Sequence, residues 1–177
     1  VNRELMEENT RLRHQQVSSF LLTDTTIVYR DSLYRYLPAK VVSNSTDNQN
    51  NFILINKGKR HGVEKEMGVV SSSGLAGIVV GVSERYAYVM SMLHQNSRIS
   101  ARIKKNGQLV NVTWEGSDPQ TGNVIDIPSH IVLHSGDTVV TSGNSLIFPD
   151  NILIGTITEQ ETAESMDLGS ATLAFAT

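Results

Sequence analysis

With no cysteine in its 177 residues, this chain can do covalent or metal chemistry only through histidine, serine and the carboxylates. Thiolate metal sites, disulfides and a cysteine nucleophile are excluded. His130 and His134 stand four apart, the spacing that on a helix sets two imidazoles over one metal ion. Here Pro128 precedes them and Ile131-Val132-Leu133 between them reads as strand. Four residues of strand separate the rings by ~13 Å at ~3.3 Å per residue, whereas the ligands of one zinc each lie about 2 Å from it. His61 and His94 fall in expected loops, where a solvated imidazole is the default. Two serines have something of a nucleophile's setting: Ser73, before Gly74, and Ser145, before Leu146. An oxyanion hole needs backbone that can approach the substrate, which a glycine after the serine allows and Leu146 does not. The acids between His61 and Ser73 are Glu64 and Glu66, on the same short loop. Asp47, Asp118, Asp126, Asp137 and Asp150 sit at expected turns, where Asp closes the backbone instead of pairing for glycoside hydrolysis. Lys57-Gly58-Lys59-Arg60-His61-Gly62 is basic and glycine-bearing but lacks phosphate-loop spacing. No catalytic residue, metal ligand or cofactor is expected.

The elements that would position these groups are mostly strands. After Pro38 short apolar runs recur about every ten residues, at 39–43, 52–56, 67–71, 75–83, 88–93, 99–103, 109–115, 123–127, 131–133, 138–141, 152–158 and 171–177. Short β-branched runs evenly spaced between turn residues predict a sandwich or barrel. Ile99, Ala101 and Ile103 alternate with polar residues, as do Val110, Val112 and Trp114, and Asn106-Gly107 between them predicts a hairpin. Gly77, Gly81 and Gly155 lie inside expected strands, at places where small sheets bend, which favours barrels. Gly58, Gly62, Gly136 and Gly143 are expected to meet backbone requirements with positive φ, and Asp137 and Pro149 to shape the same turns. A weak echo links Val69-Val70 and the strand around Gly77 with Val139-Val140 and the strand around Gly155. Related barrels and coincidence among common turn residues both explain it.

Ahead of Pro38, residues 2–19 read as helix, with no glycine or proline. Leu5 and Leu12 take d positions of a heptad, and Asn9 and Gln16 take a. A buried Asn at a sets register in a parallel dimer, and Glu8 with Arg13 forms the matching g–e pair. The alternative is one surface helix whose leucines pack on the domain behind it.

Composition agrees with a globular body: 39% hydrophobic and 19% charged residues, with a formal net charge of −3. No basic cluster interleaves with aromatics, so a nucleic-acid footprint is missing, and the acidic balance disfavours electrostatic membrane binding. Apolar runs such as Ile78-Val79-Val80 are far short of the ~20 residues that span a bilayer, and no signal peptide is visible. The heptads already running at Val1 and the alternation still running at Thr177 lead to the expectation that both patterns continue beyond the chain.

One ordered set of residues resembles a known family. Pro38-Ala39-Lys40-Val41-Val42 is followed by Ile55-Asn56-Lys57-Gly58, Gly62-Val63, Met67-Gly68-Val69-Val70 and Gly74-Leu75-Ala76-Gly77. Gly136-Asp137-Thr138-Val139-Val140-Thr141-Ser142-Gly143, Phe148-Pro149 and Ile152-Leu153-Ile154-Gly155 complete it. The series resembles the MreC family of rod-shape-determining proteins over essentially the whole chain. Asp150-Asn151 departs from it, since the family more often carries a basic residue and glycine after the proline.

The resemblance implies an all-β protein of two small six-stranded β-barrels, in a chymotrypsin-like arrangement without catalytic residues, behind an N-terminal coiled-coil helix. It implies a periplasmic scaffold of the elongation machinery, anchored in the inner membrane by one preceding helix. Self-association is implied, as is contact with penicillin-binding transpeptidases and other membrane partners. The expected layout is helix and linker over 1–37, one barrel from 38–63 with 131–177, and a second over 64–130. Sequential barrels, 38–120 and 121–177, are the alternative. Exposed aromatics would anchor partners, with Tyr86, Tyr88 and Phe148 as candidates, and core or simple turn packing is the preferred reading of each. A ligand- or glycan-binding barrel is the runner-up function.

Overall fold

A computed structural model of the chain describes Glu8, Tyr34 and residues 36–161 and 168–176. Residues 1–40 and 41–177 are separate compact units. In the first, Glu8 is helical and exposed. The rest of the expected coiled-coil seam, Leu5, Asn9, Leu12, Arg13 and Gln16, lies outside the described residues.

The second unit holds eleven strands among the described residues. They are β1 (Val41–Asn44), β2 (Asn50–Ile55), β3 (Gly68–Val70), β4 (Leu75–Val82), β5 (Ala87–His94), β6 (Arg98–Ile103), β7 (Leu109–Thr113), β8 (Thr121–Pro128), β9 (Thr138–Thr141), β10 (Leu153–Glu161) and β11 (Leu168–Phe175). The first five form an open antiparallel sheet in the order β1-β2-β5-β4-β3. The other six close into an antiparallel barrel in the order β10-β11-β8-β7-β6-β9.

The hairpin over β6 and β7 shows why this sequence makes these strands. Ile99 and Ala101 face Val112 and Val110 in register, and all four are buried in the barrel, with Ser100 and Asn111 paired on the other face. Leu75 and Met92 from the sheet join the barrel's buried side chains, with Val70 and Ile78 packed against them. Sheet and barrel therefore share one apolar core.

The sheet repeats the barrel's plan with one strand fewer. Strands β3-β4-β5-β2-β1 correspond in order and chain sequence to β9-β10-β11-β8-β7, and β6, which closes the barrel, has no counterpart among the described residues. The echo in the sequence falls on the matching pairs: Val69 is opposite Gly77, and Val139 is opposite Gly155. A Cβ at Gly77 would lie 2.1 Å from Met90 O, and one at Gly155 2.1 Å from Ala174 O. Each glycine lets a third strand approach the hairpin.

Several expectations are corrected by the structure. The second six-stranded barrel is an open five-stranded sheet. The split layout does not form, because Val41 pairs with Ile55 in the sheet, whereas the strand of Ile154 pairs with β9 and β11 in the barrel. Neighbours joined by short connections close at a smaller entropic cost than segments from opposite ends of the chain. The alternative division at 120 would cut the barrel between β7 and β8; the chain passes from sheet to barrel at the turn after His94. Finally, 131–133 is not a strand. The carboxamide of Gln160 accepts from Leu133 N–H at 2.7 Å and donates to Ile131 O at 3.1 Å, so one side chain takes the place of a pairing strand.

Candidate interaction surface

The groups with chemical potential are dispersed. Neither Ser73 nor Ser145 hydrogen-bonds to a histidine among the described residues, and Ser145 is exposed. His130 and His134 are exposed on the irregular segment before β9, and among the described residues no three His, Asp or Glu are grouped to hold a metal. The aspartates are committed. Asp118 accepts from Gln120 N–H and Thr121 Oγ1; Asp126 accepts from Arg98 at 2.7 Å and Asn111 at 2.6 Å. Asp137 accepts from His134 N–H at 2.9 Å and lies 3.8 Å from Lys105 Nζ. Asp150 receives both ends of the Arg102 guanidinium, at 3.0 and 3.2 Å.

The basic segment at 57–62 is a 3-10 turn, Lys59–His61, laid against the β4–β5 connection through Lys59 N–H to Ser83 O at 2.9 Å. Gly58 N–H donates to His61 Nδ1 at 3.0 Å. Partial burial, then the charges of Lys57 and Arg60, hold the His61 imidazole below its ordinary pKa. Gly62, Gly136 and Gly143 take φ of +85°, +92° and +72°. Gly58 differs from the expectation, with φ −139°. Its glycine is needed for space, because a Cβ would lie 2.3 Å from Ser83 O and 2.6 Å from Tyr86 N. Pro149 offers its carbonyl to Thr141 Oγ1, fixing the loop between β9 and β10.

Exposed apolar surface gathers on the sheet. Tyr86 and Tyr88 are 44% and 46% exposed. Tyr88 stacks on Phe52 with ring centroids 4.8 Å apart and lies opposite Leu54, while Phe52 lies opposite Met90. Residues directly opposite share a face, so Phe52, Leu54, Tyr88 and Met90 form one half-open apolar floor. Edge strand β1 adds Val41 and Val42, each more than half exposed. Phe148 follows the core-packing reading and not the anchor one. It is buried in the barrel core, with its ring so close to Gly68 that a Cβ there would collide with it. Phe52 and Leu54 are surface residues that sequence reasoning missed. Their signal is Phe52-Ile53-Leu54-Ile55, a strand apolar on both faces where a solvated sheet alternates.

The chain is similar to known proteins in sequence and in fold. The family model described as rod shape-determining protein MreC, barrel core, matches residues 41–177. Cell shape-determining protein MreC of Listeria monocytogenes is 33% identical over 142 residues, covering 78% of this chain and 48% of that protein. A solved structure of MreC from Listeria monocytogenes matches with a TM-score of 0.74 at 26% identity, over 99% of this chain and 89% of that one. A chain in a complex between penicillin-binding protein (PBP2) and MreC from Helicobacter pylori has the same fold, with a TM-score of 0.63 at 22% identity over 78% of this chain and 85% of that one. The chain spans about half the length of the curated relatives it matches.

Proposed function

This chain belongs to the MreC family, and from that premise we propose that it is a non-enzymatic scaffold that organises peptidoglycan-synthesising enzymes and so maintains cell shape. The match of the family's barrel core to residues 41–177 carries the reading. The dispersal of serine, histidine and carboxylate groups supports a binding role over catalysis. A penicillin-binding transpeptidase is the partner, a reading supported by the complex formed by the Helicobacter pylori relative. The protein works in the periplasm, held to the inner membrane by a helix preceding these residues. Sheet and barrel stand as the two halves of a chymotrypsin-like body without its catalytic residues.

Self-association is assigned to the heptad seam of Leu5, Asn9, Leu12 and Gln16, with Glu8 and Arg13 pairing between helices. Partner contact is assigned to the apolar sheet face with Tyr86 and Tyr88, whose exposed rings suit an interface centre. The barrel's interior is filled by its own side chains, Ile103, Val112, Val124 and Leu173 among them, which favours scaffolding over a ligand or glycan held in a barrel mouth. Sedimentation equilibrium of the chain with its upstream heptads restored tests self-association. A dimer or larger species is the expected result, and a monomer throughout the accessible concentration range would overturn that part.

A further inference from the structure

The chain passes once from sheet to barrel, through the turn that joins β5 to β6, and His94 opens that turn. His94 and Ser97 are both buried, and Ser97 N–H donates to His94 O at 2.8 Å. Asn96 N–H donates to His94 Nδ1 at 3.0 Å. A ring nitrogen that accepts a hydrogen bond carries no proton, so this turn is built around a neutral imidazole. The same ring meets Phe52 edge-on, centroids 5.0 Å apart, and Phe52 in turn supports Tyr88.

The turn is fastened to its surroundings. Gln95 N–H donates to Gln49 O at 3.1 Å, and the Asn51 carboxamide donates to Leu93 O at 2.7 Å. Both glutamine side chains reach Gly116 in the barrel's β7–β8 connection, where a Cβ would lie 3.2 Å from Gln95 Nε2 and 3.5 Å from Gln49 Cγ.

We propose that His94 is a proton-operated latch on this turn. Protonation turns Nδ1 from acceptor into donor, sets it against the Asn96 N–H, and releases the turn together with the Phe52–Tyr88 pair. Phe52 meets the imidazole from β2, Asn50 lies opposite His94 in register on the same strand, and Asn96 bonds the ring from the turn; none of the three is charged. Burial is the sole cause holding the His94 pKa below 6.5, with no charged side chain contributing. The sign follows from linkage. The opened turn, with an ordinary imidazole, takes the proton before the closed one does. The latch therefore stabilises fully above about pH 6.5 and weakens as pH falls from there through the lowered folded value. Acidification would then loosen the floor of the apolar sheet face, a regulation resting on the reading of that face as a partner surface.

Residue-resolved NMR of the labelled chain between about pH 8 and about pH 5 tests the latch without any partner. His94 should titrate below 6.5. Asn96 amide protection, corrected for intrinsic exchange, should fall about tenfold per pH unit below that value until the folded pKa is passed. The Tyr88 ring signals should move with the same midpoint. In His94→Asn the side-chain oxygen replaces Nδ1 as acceptor in an Asx turn but does not titrate, so the pH dependence should vanish. A His94 midpoint at or above 6.5, or protection of Asn96 that does not change with pH, would overturn the latch. So would an unaltered pH dependence in His94→Asn. If that variant does not fold, the native titration still decides, because Asn96 must follow the midpoint of His94. Loss of partner binding with an intact latch would count against the partner surface alone.

Discussion

At Asn51 a fully buried carboxamide donates to Asn48 O at 2.6 Å and Leu93 O at 2.7 Å, and accepts from Asn48 N–H at 3.1 Å. Replacing it with leucine keeps similar bulk but leaves three backbone groups without partners, each a desolvation cost of about 1–3 kcal/mol if no water reaches it. Asn51→Leu should lower stability by about 2–4 kcal/mol, seen as a lower urea midpoint with unchanged slope. The sequence shows an asparagine at the head of an apolar strand, but nothing in it reveals which carbonyls the side chain meets. Position 151 is readable in the same partial way. The departure from the family pattern at Asp150-Asn151 marks a turn, and Asn151 does take a left-handed φ of +66°. Its partner is hidden from sequence: Arg102, far back on β6, bonds Asp150 twice and Asn151 Oδ1 at 2.7 Å. Alternation places Arg102 on the outer face, and only folding brings that loop to it.

At the scale of elements, period-two alternation is legible wherever one face is wet. The β6–β7 hairpin follows it residue by residue, because a register slip would turn its whole apolar set outward. It fails at 131–133, where the apolar run is real but the bonds come from the Gln160 side chain. Glycines inside strands read as bends, and the structure divides them into two kinds. Gly155 is required by close approach, since a Cβ would stand 2.1 Å from Ala174 O, whereas a Cβ at Gly81 would meet only Tyr88 Cβ at 3.5 Å. Gly155→Ala must push β10 from β11 and should cost about 3 kcal/mol, while Gly81→Ala should stay within about 1 kcal/mol of neutral. Parallel urea titrations of the two variants check the contrast, and equal losses would show that the carbonyl contact does not set the cost.

For the whole molecule, the all-β class is legible from the spacing of apolar runs, but its partition into sheet and barrel is not. Pairing between distant strands depends on which edges remain open once local hairpins form, and no single stretch of residues encodes that. The plan shared by sheet and barrel is present only as the faint echo of valine pair, turn and glycine strand. The surface is half legible: Phe148 fills the barrel, as the preferred core-packing reading has it, while Tyr86 and Tyr88 are exposed as the anchor alternative needs. On the proposed reading, the chain acts by holding a cell-wall enzyme. The most direct measurement is equilibrium binding of the chain to the ectodomain of its host's penicillin-binding transpeptidase, by biolayer interferometry with the chain immobilised. Saturable binding with a Kd in the range of about 0.1–10 μM, a free energy of roughly −7 to −10 kcal/mol, is the predicted result. No saturable binding at transpeptidase concentrations up to about 100 μM would contradict the scaffold role.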